Sequence, residues 1–146
     1  MEEYRILKDD RILLDARIDE LESEIQGLGP DFYEVFNQSS ETWHDNAPFE
    51  ALRDKQSVLF AEYTSLKEIR RNSTVITPKR GTRVAIGSTV TLDDNRKIFV
   101  AGDWTPHAGQ TIDGMTFVSA RSPLALAVIG KQGGSTTPFG TITTLT

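Results

Sequence analysis

The chain has 146 residues, 38% hydrophobic and 25% charged, with a net charge of −5 and no cysteine. That length holds one ordinary domain or two small ones, the composition can build a core, and the lack of cysteine excludes disulfide frameworks, thiolate metal sites and cysteine nucleophiles. The start MEEYRILKDD is too charged for a signal peptide and no apolar run approaches the ~18 residues of a membrane span, so the expectation is a soluble, cytoplasmic protein with no membrane partner.

The charge is unevenly spread. Residues 1–77 carry 9 Lys/Arg and 17 Asp/Glu, whereas residues 78–146 carry 7 and 4. A total of −5 argues against a general nucleic-acid binder, because such binding is driven by basic side chains displacing counterions from phosphates. Nine of the eleven glycines also follow residue 77. Two building plans are joined near Pro78, which suggests domains at 1–77 and 78–146.

In the first third, apolar residues recur at alternating steps of three and four: Tyr4, Leu7, Leu14, Ile18, Leu21, Ile25, Leu28, Phe32 and Val35, with Arg11 the one polar member. This heptad seam predicts a helix. Its register runs through Gly29-Pro30, where proline removes a helix donor, so a kinked but continuous helix is expected. A second seam follows at Phe49, Leu52, Gln56, Leu59, Tyr63 and Leu66, opened by Asp45 or Asn46 as N-cap and by Pro48 in the first turn. Between the seams, Asn37–Asp45 is polar and rich in turn formers and reads as a hairpin tip spanning about 37–47. Antiparallel helices would bring together positions summing to about 84, such as Leu21 with Tyr63 and Phe32 with Leu52. A heptad stripe alone leaves open whether its partner lies in the same chain or in a second copy; the elongated monomer is the expectation.

After Pro78 short strands are predicted at Thr82–Ile86, Thr89–Leu92, Lys97–Ala101, Met115–Ser119 and Thr141–Leu145. Ser122 as cap, Pro123 at the first position and Gly130 past the end predict a short helix over Leu124–Ile129. The fold class is therefore α+β: an antiparallel two-helix coiled coil followed by a small, mostly antiparallel sheet with one short helix.

Phosphate-loop, dinucleotide, nucleophile-elbow and zinc-protease motifs are missing from the sequence, and His44 and His107 stand 63 residues apart. The tip holds the chemistry. Glu41 and Asp45 are four residues apart and flank Trp43 and His44. Two carboxylates can hold a divalent cation with hard oxygen ligands while leaving most of its shell to others; read blandly, Glu41 is a solvated charge and Asp45 a helix cap. An indole such as Trp43 on a polar loop is a common interface anchor, or it folds back on Phe36 or Phe49.

The arrangement resembles the Gre family of bacterial transcription elongation factors. Val118-Ser119-Ala120-Arg121-Ser122-Pro123-Leu124-Ala125, continuing to Ile129-Gly130-Lys131, is similar to that family's [V/I]-S-x-x-S-P-[L/I]-[G/A] stretch ending in I-G-K. Gly87-Ser88-Thr89-Val90-Thr91 is similar to its G-A/S-x-V-T strand, Asp45-Asn46-Ala47 to the E-N-A of its tip, and Pro30 within the first seam also has a counterpart. The resemblance implies an FKBP-like sheet domain that docks at the rim of the secondary channel of bacterial RNA polymerase, with the coiled coil inside the channel. It implies that Glu41 and Asp45 help hold a catalytic Mg²⁺ only within the polymerase complex, that the nascent RNA 3′ end is met indirectly, and that Trp43, Asn46, Ser122 and Pro123 are partner-binding. The chain would then be no enzyme itself, but a cofactor-like stimulator of the polymerase's own hydrolysis.

Departures from the family pattern sit at the tip. The family's G-D-L-x-E-N-A-E-Y reads here Glu41-Thr42-Trp43-His44-Asp45-Asn46-Ala47-Pro48-Phe49, with Thr42 where the partner aspartate belongs. The alternative is thus a Gre-like channel-binding regulator without cleavage-stimulating activity. An FKBP-like fold taken literally would suggest a prolyl isomerase, but Trp104, Phe99, Phe117 and Phe139 suffice only for a core.

Overall fold

A computed structural model describes the backbone of residues 2–41 and 47–146 and the side chains of residues 2–34 and 48–146. It divides into two compact units, residues 14–71 and residues 1–13 with 72–146.

The first unit is a helical hairpin built from α1 (Lys8–Glu41) and α2 (Ala47–Arg71), α1 beginning in the other unit. Asp9 and Asp10 lie in the first turn of α1 and Arg70 and Arg71 in the last turn of α2, where each sign of charge opposes the helix dipole. Pro30 lies inside α1 without ending it, as the unbroken seam predicts. The expected loop at Asn37–Asp45 is shorter on its first side, because α1 continues to Glu41. The seam is the buried stripe: Leu14, Ile18, Leu21 and Leu28 from α1, Leu59 and Leu66 from α2. The partner helix lies in the same chain and runs antiparallel. Phe32 meets Phe49 edge-on with ring centroids 5.7 Å apart, Tyr63 Oη donates to Glu22 Oε1 at 2.6 Å, and Arg70 Nε donates to Asp15 Oδ1 at 2.7 Å. Arg17 Nε and Nη2 reach the two carboxylate oxygens of Glu62 at 2.9 and 2.8 Å.

The second unit contains two sheets. One is a parallel pair of β1 (Tyr4–Leu7) and β2 (Ser73–Ile76), in register Tyr4 with Ser73 through Leu7 with Ile76. The sequence reading places Tyr4 and Leu7 in the helical seam; they are strand. The acidic pair Asp9-Asp10 marks where the helix can begin, and the run Ser73-Thr74-Val75-Ile76, β-branched at its last three positions, offers a pairing partner far away in sequence.

The other sheet comprises β3 (Thr89–Leu92), β4 (Lys97–Val100), β5 (Thr111–Ile112), β6 (Met115–Val118), β7 (Thr136–Thr137) and β8 (Gly140–Leu145), in the order β5-β6-β4-β3-β8-β7. All its pairings are antiparallel except β4 with β6. The expected strand at Thr82–Ile86 does not form: Ser88 Oγ accepts the Ala85 N–H at 3.0 Å, and Arg83 contributes only a bridge to Gln132. The short helix α3 (Pro123–Val128) has Ser122 as N-cap, its hydroxyl accepting the Ala125 N–H at 3.2 Å. Ala125 and Val128 of α3 close the core over Val90, Leu92, Ile98, Val100 and Ile142.

Candidate functional site

Two places carry the residues singled out from the sequence. Glu41 is the last residue of α1, and α2 opens at Ala47. The side chain of Glu41 and the residues Trp43, Asp45 and Asn46 lie outside the described residues, as does Thr42. Among the described residues no cluster of three or more His, Asp or Glu side chains could hold a metal ion.

Ser122 and Pro123 are described, and they open α3. Pro123 is exposed, whereas Ser122 is half-buried and spends its hydroxyl on the cap. Leu126 lies on the same helix with 66% of its surface exposed. Sequence reading missed it, because its place in the run Leu124-Ala125-Leu126-Ala127-Val128 looks like core. The helical period would have marked it, since Ala125 and Val128 face inward and a residue between them points away.

Arg121 precedes this helix and is held by four groups. Its guanidinium lies 4.1 Å from the centroid of the Tyr4 ring, donates through Nη2 to the Glu3 carbonyl at 2.6 Å, and approaches Glu2 and Asp103 at 3.3 and 3.7 Å. The N-terminal strand therefore meets the start of α3 within one unit. Hydrogen bonding to Tyr4, then to Arg121, lowers the affinity of the Glu2 carboxyl for its proton, and the same contact raises that of the Tyr4 hydroxyl.

Asp10 and His107 form a second polar cluster nearby. The His107 N–H donates to Thr105 Oγ1 at 3.2 Å and the ring packs edge-on to Phe117 with centroids 5.6 Å apart. Burial pushes the Asp10 carboxyl up, a shift that the Thr105 hydrogen bond and the charge of His107 oppose. The aromatic side chains behave as packing: Phe99 and Phe117 have centroids 5.0 Å apart. No helix among the described residues is long and apolar enough to cross a membrane.

No family model matches the chain. It is similar to transcription elongation factor GreA of Nautilia profundicola, 34% identical over 99 residues that cover 62% of this chain and 57% of that protein. The GreA of Metamycoplasma arthritidis is 36% identical over 100 residues, 62% and 58% of the two chains, and that of Xylella fastidiosa strain M12 is 31% identical over 100 residues, 63% and 60%. The chain thus spans less than two thirds of the length of these curated relatives. Among solved structures, GreA factor homolog 1 (Gfh1) of Thermus thermophilus aligns over 99% of both chains at 18% identity and a TM-score of 0.45. A structure described as the transcription factor Gfh1 covers 98% of this chain and 99% of its own at 20% identity and a TM-score of 0.49. Over about 100 residues this chain is thus similar to GreA transcription elongation factors, in keeping with the resemblance read from the sequence.

Proposed function

We propose that this protein is a transcription elongation factor that binds bacterial RNA polymerase, with the sheet unit as anchor at the channel rim and the helical hairpin in the secondary channel. The observation that carries the reading is the similarity to GreA in a chain whose first unit is an antiparallel hairpin with carboxylates where the helices join. On this reading it is a cytoplasmic monomer and no enzyme by itself.

Glu41 and Asp45 would hold a Mg²⁺ shared with the polymerase. Hard carboxylate oxygens suit that ion, and a pair supplies only part of its coordination shell, which fits an ion completed by another protein's ligands. Bound there, the ion would supply a Lewis acid and an activated water for cleavage of backtracked RNA. The chain's own residues contribute negative charge and position: Glu41 from the last residue of α1, Asp45 from the connection two residues before α2 begins.

The second reading, a channel-binding regulator without cleavage-stimulating activity, is favoured by Thr42 standing where the family's second tip acid belongs. An RNA-release assay on backtracked elongation complexes separates the two. Cleavage by the parent protein that is lost in Asp45→Ala supports shared metal binding; saturating binding without any cleavage assigns the regulator.

A further inference from the structure

The acidic total of the chain conceals a local cationic surface on the sheet unit. No Asp or Glu occurs between Glu68 and Asp93, and none follows Asp113. The fold brings these two acid-free stretches together. Val84 N donates to the Lys131 carbonyl at 2.8 Å, Gly130 N donates to the Val84 carbonyl at 2.8 Å, and Arg83 bridges Gln132. Arg83 Nη1 donates to the Gly130 carbonyl at 2.9 Å, which fixes one edge of its guanidinium and leaves the charge at the surface. The other end of the segment is held too. Pro78 packs so closely on Gly87 that a Cβ there would lie 2.6 Å from Pro78 Cβ.

Lys79, Arg80 and Arg83 therefore occupy a segment pinned at both ends, beside Lys131, and all four are exposed. Four Cα–Cα steps bound the reach from Lys79 to Arg83 at about 15 Å. Three arginines of the same unit are neutralised, Arg5 and Arg121 by Asp103 and Arg96 by Asp94. Here no carboxylate lies within ion-pair distance among the described residues. We propose that Lys79, Arg80, Arg83 and Lys131 form a sequence-independent contact for the phosphate backbone of duplex DNA.

Three observations select this partner. Gly81, Gly130, Gly133 and Gly134 flank the cations, and a Cβ at any of them would meet nothing within 4 Å, so the backbone between the charges is open to close approach by a ligand. No aromatic residue occurs in 77–83 or 130–136, which removes the stacking platform on which single-strand binding relies. No large apolar side chain occurs there either, apart from the stems of the basic residues, so the anchors of a protein interface are missing. What remains is charge, and duplex DNA offers it at about one phosphate per ~1.7 Å of axis. The overall acidity makes the contact weak and salt-sensitive without abolishing it, because charges beyond about 8 Å are screened at physiological salt.

The inference does not depend on polymerase binding, since bare DNA is the probe. Fluorescence anisotropy of a labelled 20-base-pair duplex with the whole chain, at 50 and 200 mM salt, tests it. Four phosphate contacts give a log–log salt slope of about −3.6, a loss of roughly 150-fold in affinity over that range. Lys79→Ser with Arg80→Ser should halve the slope to about −1.8, and Lys79→Arg with Arg80→Lys should restore it. Lys55→Ser on the hairpin should leave it unchanged. Absence of binding at 50 mM salt, or a double serine variant with the parent's slope, overturns the proposal. So does single-stranded RNA or polyglutamate bound as tightly as the duplex, which would assign the strip to a different partner.

Discussion

Arg5 and Asp103 hold each other through backbone and side chain at once. The Arg5 N–H and Nε donate to Asp103 Oδ2 at 2.7 and 3.0 Å, Nη2 donates to Oδ1 at 3.2 Å, and the Asp103 N–H returns a bond to the Arg5 carbonyl at 2.7 Å. The free edge of β1 is thereby tied to the segment after β4, and the Asp103 side chain is only 5% exposed. Burial alone would raise its pKa, but the hydrogen bonds from Arg5 and the charges of Arg5 and Arg121 outweigh this and hold the carboxyl below its usual range.

Asp103→Ala should destabilise the sheet unit by about 2–3 kcal/mol, the cost of several charge-assisted hydrogen bonds. A depressed carboxyl pKa stabilises the fold above the unfolded value near ~3.9, and that contribution is lost as pH falls through the folded value. Urea unfolding of parent and variant should therefore differ at pH 7 and converge at strongly acidic pH. A constant gap would show that Asp103 acts through packing alone.

Gly102 sits against the same strand, where an added Cβ would run into the Arg5 carbonyl oxygen. The obstacle is backbone on both sides, so Gly102→Ala should release β1 from this anchor at a cost of roughly 2–4 kcal/mol. Amide exchange reports it directly: the N–H groups of Tyr4 and Arg5 should lose protection, while those of β3 and β8 keep theirs. Unchanged exchange at Tyr4 would contradict the packing described.

Asp10 behaves in the opposite sense to Asp103. Burial raises its carboxyl pKa, so the folded state binds the proton more readily than the unfolded chain. The resulting stabilisation is complete below the unfolded value and is lost as pH rises through the folded one. Asp10→Asn keeps an oxygen for Thr105 and removes the charge. At pH 7 it should be as stable as the parent or more stable, by no more than about 1 kcal/mol; thermal melting at pH 4 and pH 7 checks the sign.

In the hairpin, the Arg17–Glu62 pair is bidentate but 35% and 39% exposed, so solvent screening limits its worth. A double-mutant cycle should return about 0.3–1 kcal/mol. Leu21, fully buried in the seam, should cost about 2–5 kcal/mol on truncation to Ala. A coupling energy at Arg17–Glu62 as large as the Leu21 loss would mean that charge dominates the pairing of these helices.

Cap and surface on α3 can be separated. Ser122→Ala removes the N-cap bond and should cost about 1 kcal/mol of stability. Leu126→Asp, at an exposed position, should leave stability within about 0.5 kcal/mol of the parent. On the proposed reading Leu126→Asp weakens capture of core RNA polymerase at least tenfold in a titration, with the fold intact. Equal capture by parent and variant would remove this face of α3 from the interface.

Much of the architecture is legible from residue order because it depends on short-range periodicity. The seam Leu14, Ile18, Leu21, Leu28 repeats at three and four residues, so helix, buried stripe and continuity through Pro30 are all local properties. Ser122-Pro123 with Gly130 announces α3 in the same way. The tip acids Glu41 and Asp45 are likewise visible as residue types at a spacing, which says what chemistry they could share and nothing of where their oxygens point.

Tertiary structure decided what depends on partners distant in the chain. Tyr4 and Leu7 continue the heptad by count, yet they pair with Ser73 and Ile76, because a strand needs a neighbour that sequence spacing cannot reveal. Thr82–Ile86 has the composition of a strand, but its hydrogen bonds are spent on Ser88, Gly130 and Lys131. Charge follows the same rule. The total of −5 is a property of the sequence, whereas Lys79, Arg80, Arg83 and Lys131 become one surface only when two segments some 50 residues apart are brought side by side, since electrostatic recognition acts over about a nanometre of space.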